Sequence, residues 1–304
     1  MRENDGIHNL VTLLLFSVTV LIWGTTFYAI TLQLGDVHPI QSVFYRFAIA
    51  MVVMWGIALL RNINVRFPGK IHILFFLLGL LLFSINYVVV YFGTTYLVSG
   101  LVSVIFSLII PLNILFYWFF FKDKPTPSLI IGSILGLSGI TALFFEDLFG
   151  INVSDSLILG ASLTLLSAFM ASSGNVIAHL LNNRNINVFS CNTWGMTYGS
   201  IFLFIAVIVS GEKWHFSFKP EYIASLLYLS LAGTVIAFWT YLTLLQRIGA
   251  PRAAYVSVVF PLVALLVSTL YEDLHWSTYK ILGVVLIISG NFFIVQKRAI
   301  STRK

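Results

Sequence analysis

Long apolar runs, separated by short polar joints, fill almost the whole chain. A helix that crosses the hydrocarbon core of a bilayer needs roughly 20 mostly apolar residues. By that measure the sequence predicts ten crossings, over 10–31, 40–60, 71–91, 97–121, 128–146, 156–180, 188–210, 221–244, 251–271 and 277–296. A membrane-barrel strand would be about ten residues of alternating polarity. These runs are longer and apolar on both faces, so the fold class is all-α integral membrane. The third and fourth crossings are divided only by Gly93, Thr94 and Thr95, which makes nine helices the competing count. The run from Leu10 to Leu34 is too long for a signal-peptide core and reads as the first membrane helix.

Composition supports this picture. Of the 304 residues, 59% are apolar and 9% charged. A soluble domain carries about 25% charged residues, so lipid must be the solvent for most of this surface. The formal net charge of +6 is not a nucleic-acid footprint, because the basic residues form no stripe. They sit in short clusters between the apolar runs, where the anionic inner leaflet is their electrostatic partner.

The clusters also orient the chain. With the N-terminus in the cytoplasm, that side receives Arg2, then Arg61, Arg66 and Lys70, then Lys122 and Lys124. It also receives Arg184, Arg247 and Arg252, then Lys297, Arg298, Arg303 and Lys304. The outer loops receive only Lys213 and Lys219, with Lys280 at an outer helix start. Basic residues accumulate on the cytoplasmic side. The sequence therefore predicts a multi-pass protein of the cytoplasmic (inner) membrane with both termini cytoplasmic. The loop with Glu146, Asp147 and Asp155, which carries no Lys or Arg, falls outside.

The two halves match in order. At an offset of 150 residues, Tyr91 meets Tyr241, Ser107 meets Ser257, Pro111 meets Pro261, Leu112 meets Leu262 and Asp123 meets Asp273. One inserted residue later, Gly132 meets Gly283, Ser138 meets Ser289 and Gly139 meets Gly290. Five is an odd number of crossings, so the second copy enters the membrane upside down. The expected domains are a five-helix repeat over 1–147 and an inverted five-helix repeat over 156–304. Inverted repeats recur among secondary transporters, with the substrate site near the bilayer midplane.

Trp23-Gly24-Thr25-Thr26-Phe27 and Tyr45-Arg46-Phe47-Ala48 resemble the opening helices of the EamA family, within the drug/metabolite transporter superfamily. The stretch from Pro251 to Gly290 resembles that family's second-repeat pattern of a proline, a Glu-bearing turn and a paired-glycine helix. The likeness covers nearly the whole chain. It departs at Thr26, where many members have Asn, and at Lys122-Asp123, where Gly-Glu is usual. Membership implies ten helices in two inverted repeats and the export or exchange of small metabolites.

The candidate substrate-binding residues are the polar and aromatic side chains inside the runs: Trp23, Arg46, Asn86, Tyr87, Tyr91, Asn113, Trp194, Trp239, Tyr241 and Tyr255. Tyr87 and Tyr91 are four apart and share one helix face. Asn86 needs a partner in hydrocarbon, either another helix or a substrate. Tyr96 and Trp276, at helix ends, read as interfacial belt residues instead. Arg46 is the ionisable residue well inside a run. It either snorkels to the headgroups or faces inward, where its fork could hold a substrate carboxylate.

Pro111 and Pro261, each in mid-crossing, should free the carbonyls of Ser107 and Ser257. The four residues mark either packed kinks or the wall of a wet cavity. In the expected arrangement Asn86, Tyr87 and Tyr91 face Trp239 and Tyr241 across the axis between the repeats. Tyr91 and Tyr241 would then stand near opposite mouths.

The remaining chemistry is exclusionary. The 11 acidic residues lie in termini, loops or run ends, and no His, Cys or carboxylate cluster has metal-ligand spacing. His179 and the lone Cys191 read as a helix-end histidine and a small buried residue. There is no P-loop, and the sequence suggests no cofactor, no metal and no enzyme. The expected partners are a small-molecule substrate and the lipid bilayer, not nucleic acid, with the chain a monomer or a homodimer. An intramembrane enzyme or a membrane sensor without transport activity is the alternative. The first would need a positioned acid, base or nucleophile pair, and the second an output domain.

Overall fold

The computed structural model describes residues 2–122, 127–143, 145, 155–248 and 253–301. These residues form ten helices in sequence. They are α1 (Arg2–Thr31), α2 (Pro39–Leu60), α3 (Gly69–Thr94), α4 (Ser99–Phe121), α5 (Pro127–Leu143), α6 (Asp155–Asn182), α7 (Val188–Ser210), α8 (Pro220–Leu227, Tyr228–Ile236 and Ala237–Ile248), α9 (Tyr255–Tyr271) and α10 (Thr278–Ser301). Eight are long and apolar enough to cross a membrane; α5 and α9 are shorter apolar helices. Each of those two has 17 residues, at the lower end of the spanning range of about 17–25. The division between α3 and α4 is real: α3 stops at Thr94, and extended Val98 precedes the new helix. Glu146, Asp147, Asp123, Lys124 and Arg252 lie outside the described residues.

Large apolar side chains cover the outside. Leu13, Val52, Leu137 and Val209 are exposed, as expected of a surface solvated by lipid. Below, the near end is the one at which α1 begins and α10 finishes, and the far end is its opposite.

The packing respects an exchange of halves. Helix α1 packs on α8 and α9, and α6 packs on α3 and α4. Likewise α2 packs on α8, and α7 on α3. The pairs α2 with α7, α4 with α9 and α5 with α10 are their own images under the same exchange. The α5–α10 seam is held by glycines. A Cβ on Gly139 would stand 2.8 Å from the Gly283 carbonyl oxygen, and one on Gly283 would stand 2.7 Å from that of Gly139. Gly132 and Gly290 meet in the same way, at 2.7 and 2.6 Å. Lipid offers no hydrophobic drive for helix pairing, so close backbone contact through small residues supplies the attraction.

Three of the central helices are irregular. Helix α3 widens to π geometry over Leu81–Ile85, and α8 does so over Tyr228–Ile236. The 150-residue offset lays the first π segment inside the second. Such bulges often mark functional sites. Helix α4 is interrupted at Ser107 and Leu108 and restarts as Ile109–Phe121.

That break corrects the expectation of a mid-helix proline. Pro111 occupies the first turn of the restarted segment, where a missing N–H has little consequence. The Ser107 carbonyl is not left orphaned. It accepts from the Ile110 N–H at 3.1 Å and from Asn291 Nδ2 of α10 at 3.3 Å. Asn291 Nδ2 also donates to Ser107 Oγ at 2.8 Å. Pro261, by contrast, lies inside the continuous α9.

Candidate functional site

The two halves enclose a central cavity of about 230 Å³. Its wall is built by α1, α2, α3 and α4 of the first half and by α6, α8 and α9 of the second. It runs from Ile30 and Arg46 on the far side to Asn113, Asn175, Tyr241 and Ser257 on the near side.

Of the residues singled out in the sequence, Trp23, Arg46, Asn86, Tyr87, Asn113, Tyr241 and Ser257 line this space. Helix α1 presents Trp23, whose ring packs 5.7 Å from Phe238 and 5.1 Å from Tyr241. Asn86 follows the π segment of α3. Its Oδ1 accepts from Ser167 Oγ at 2.6 Å, and its Nδ2 donates to the Leu82 carbonyl at 3.2 Å. Asn113 Oδ1 accepts from Asn175 Nδ2 at 3.1 Å. The Tyr87 ring lies 4.7 Å from that of Phe47 and 4.6 Å from the Arg46 guanidinium carbon.

Arg46 does not snorkel. It is 2% exposed, and its Nε donates to Thr234 Oγ1 at 3.3 Å. The π turn of α8 places that threonine. Thr234 in turn donates to the carbonyl of Leu229, five residues back.

The other expected residues lie elsewhere. Trp239 does not face the cavity: it is 61% exposed on the outside of α8. Residues two positions apart on a helix point about 200° apart, so once Tyr241 turns inward Trp239 must turn out. Phe238, three positions from Tyr241, takes the inner place. Trp194 packs at the near end with His72 at 4.5 Å and Trp55 at 5.1 Å, and its Nε1 donates to the Val65 carbonyl. Tyr255 packs on Phe292 of α10 at 5.7 Å. Tyr91 is fully buried and donates to Gln33 Oε1 at 2.7 Å, beyond the cavity's far limit. Ser107 is tied to Asn291, and neither Pro111 nor Pro261 lines the space.

Sequence reasoning missed Phe238, Gly233, Asn175 and Thr26. The helical spacing from Tyr241 could have found Phe238. Asn175 is a polar group well inside its run. Thr26 stands inside the Trp23–Phe27 motif. Nothing in the sequence marked the π segments.

Among the described residues no group of three His, Cys, Asp or Glu side chains could hold a metal ion. The far end is bound together across the halves. Lys219 pairs with Asp36 at 2.6 Å, and Tyr222 shares a 3.0 Å hydrogen bond with Ser42. Ser99 donates from both its N–H and its hydroxyl to the Glu272 carboxylate, which closes the start of α4 from the end of α9. Asp36 lies outside the crossings. The hydrogen bond from Lys219 is the main cause that holds its carboxyl below the ordinary value.

The sequence pattern of the EamA-like transporter family matches residues 10–145 and, a second time, 158–296. The chain belongs to this family. Among its relatives is a protein of Escherichia coli (strain K12) named as a probable amino-acid metabolite efflux pump. The two are 26% identical over 299 residues, covering 95% of this chain and 94% of that protein. Protein PagO of Salmonella typhimurium is 25% identical over 292 residues, covering 94% and 93%. The uncharacterized transporter YoaV of Bacillus subtilis is 25% identical over 288 residues, covering 93% and 95%. A solved crystal structure at 17% identity superposes with a TM-score of 0.66 over 93% of this chain and 96% of that one, which shows the fold. As an EamA-family chain the protein is a multi-pass membrane protein. The Escherichia coli and Bacillus subtilis relatives are named for transport, not for catalysis.

Proposed function

We propose that the protein is a secondary transporter that exports or exchanges small amphiphilic metabolites, amino acids and their relatives, across the cytoplasmic membrane by alternating access. The observation that carries this reading is the placement of the cavity between the two halves, with wall helices drawn from each. A site at the junction of inverted repeats can be exposed to either side by rocking one half against the other. The lining of aromatic faces with a few amides and hydroxyls suits a small solute that is part apolar and part polar. The name of the Escherichia coli relative favours amino-acid metabolites. The proposed repeats span 1–147 and 156–304. The clustering of basic residues favours a cytoplasmic near end.

Purified protein in liposomes should move labelled amino acids and related metabolites from a panel, faster than protein-free liposomes do. Tyr87→Ala should slow that movement while leaving membrane abundance intact. A reporter fused after Lys304 should be active only in the cytoplasm. Absence of flux across the whole panel would sink the transport reading. A periplasmic signal from the reporter would sink the orientation.

A further inference from the structure

The Arg46 guanidinium is the most unusual group in the cavity. It is buried, it lines the space, and its Nη1 has no hydrogen-bond partner among the described residues. No carboxylate pairs with it among those residues, where the ion pair joins Lys219 to Asp36 instead. An arginine keeps its charge wherever it is placed, and an unpaired buried charge is costly. The face of Tyr87 offsets part of that cost by a cation–π contact at 4.6 Å. The same contact, with the Thr234 bond to Nε, fixes the plane of the fork. Gly233 lines the space beside it, where a Cβ would stand 2.8 Å from Thr26 Cγ2 and 3.7 Å from Nη2.

Beyond the cavity's far limit a second donor is also unanswered. Gln33 is 1% exposed; its Oε1 is taken by Tyr91, and its Nε2 has no partner among the described residues. The Thr234 hydroxyl accepts from Arg46 Nε and leaves Nη1 unanswered. Among the residues that line the cavity, the unanswered buried donor is Arg46 Nη1. Beyond it, Trp23, Phe106, Phe238 and Phe260 provide an apolar wall. Among the described residues the cavity lining contains no Asp or Glu that would match a cationic group.

We propose that Arg46 is the anion receptor of this cavity. It seats the carboxylate of a small solute whose apolar body lies against the aromatic wall, and it selects against amines and amides that lack that group. A planar fork suits a carboxylate because two parallel N–H···O bonds can form at once. The proposal names the substrate class of the transport reading and rests on it.

Three aromatic probes of matched shape test it: 3-phenylpropionate, L-phenylalanine and L-phenylalaninamide. With wild-type protein in liposomes, the two carboxylates should move at least about tenfold faster than the amide, the loss expected when a buried charged hydrogen bond goes unmade. In detergent they should raise the thermal midpoint, and the amide, sodium chloride and sodium sulfate should not. Arg46→Gln should abolish the discrimination, and Arg46→Lys should keep part of it. Equal flux or equal shifts for acid and amide overturn the proposal, as does no shift with any of the three probes. A shift by sulfate or chloride as large as that of the acids marks a general anion site and also overturns it. Discrimination that survives in Arg46→Gln overturns it too. If Arg46→Gln does not fold, the matched probes on the wild-type chain still decide. Selective acid binding without flux would remove the transport reading and leave the receptor role of Arg46 standing.

Discussion

Tyr91 donates a 2.7 Å hydrogen bond to Gln33 at the far end, whereas its counterpart in the second half, Tyr241, lines the cavity against Trp23. One of two matched tyrosines is locked in a fully buried seal and the other faces open space. In an alternating-access cycle the two would exchange these roles. Tyr91→Phe leaves Gln33 Oε1 buried without its donor. Such an unmet acceptor costs about 1–3 kcal/mol wherever Gln33 stays buried against Tyr91. In a Cys191→Ala background, Ile30→Cys at the far limit of the cavity should react with an impermeant thiol reagent from the far side. Adding Tyr91→Phe should speed that reaction at least about fivefold. An unchanged rate would show that Tyr91 does not hold the seal.

The Asp36–Lys219 pair bridges the halves at the same end, and it gives the seal a defined acid response. The hydrogen bond from Lys219 lowers the Asp36 pKa in the folded chain. A depressed carboxylate contributes fully above its unfolded pKa and loses its contribution only as the pH falls through the folded value. Far-side labelling at Ile30→Cys should therefore stay flat from neutral pH down to about pH 5 and rise only in stronger acid. Both side chains are substantially exposed, so the rise should be small. In Asp36→Asn it should vanish. A rise already between neutral pH and about pH 5 would assign the response to another group.

Trp239 and Phe238 are neighbours in sequence with opposite surroundings. Trp239 is 61% exposed on the lipid face, and Phe238 packs at 5.7 Å on Trp23 in the cavity. Trp239→Ala should leave the flux of the preferred substrate unchanged. Phe238→Ala removes an apolar wall worth about 1.5–3 kcal/mol when covered by ligand. Apparent affinity should then weaken roughly tenfold or more. The reverse pattern would mean that α8 is rotated about its axis, with Trp239 inward.

These neighbours show where sequence reasoning stops. Length and polarity of the apolar runs were enough to count ten helices, because lipid demands that each run satisfy its own backbone. The ordered matches from Tyr91/Tyr241 to Gly139/Gly290 were enough to expect two inverted halves. Rotation about a helix axis is a finer property. It can be read only where one face of a helix is more polar than the other, and a helix apolar all round offers little such contrast. Trp194, Trp239 and Tyr255 were therefore legible as aromatic residues inside crossings but not as residues turned away from the cavity. The π segments of α3 and α8 shift the register further, and they carry no composition signal that Leu81–Ile85 would have betrayed. Arg46 was recognisable as exceptional, but only its surroundings distinguish an inward fork from a snorkelling one.

Asn291 breaks the symmetry of the halves at the point where α4 is broken. Its Nδ2 donates to both the carbonyl and the hydroxyl of Ser107, and it is 1% exposed. In the sequence alignment of the halves Gly139 meets Gly290, so the counterpart of Asn291 is Ile140, which has no amide to offer. Ser257, the counterpart of Ser107, lines the cavity instead. The first half thus has its broken helix pinned to α10, and the second half lacks the equivalent pin. Asn291→Leu keeps the volume and removes the donor. The Ser107 carbonyl would retain only its bond from Ile110, and the buried loss should cost about 1–3 kcal/mol. The thermal midpoint of the purified protein should fall accordingly. Selection between 3-phenylpropionate and L-phenylalaninamide should not change, because Asn291 does not line the cavity. Wild-type stability in Asn291→Leu would show that this pin does not hold the break in α4.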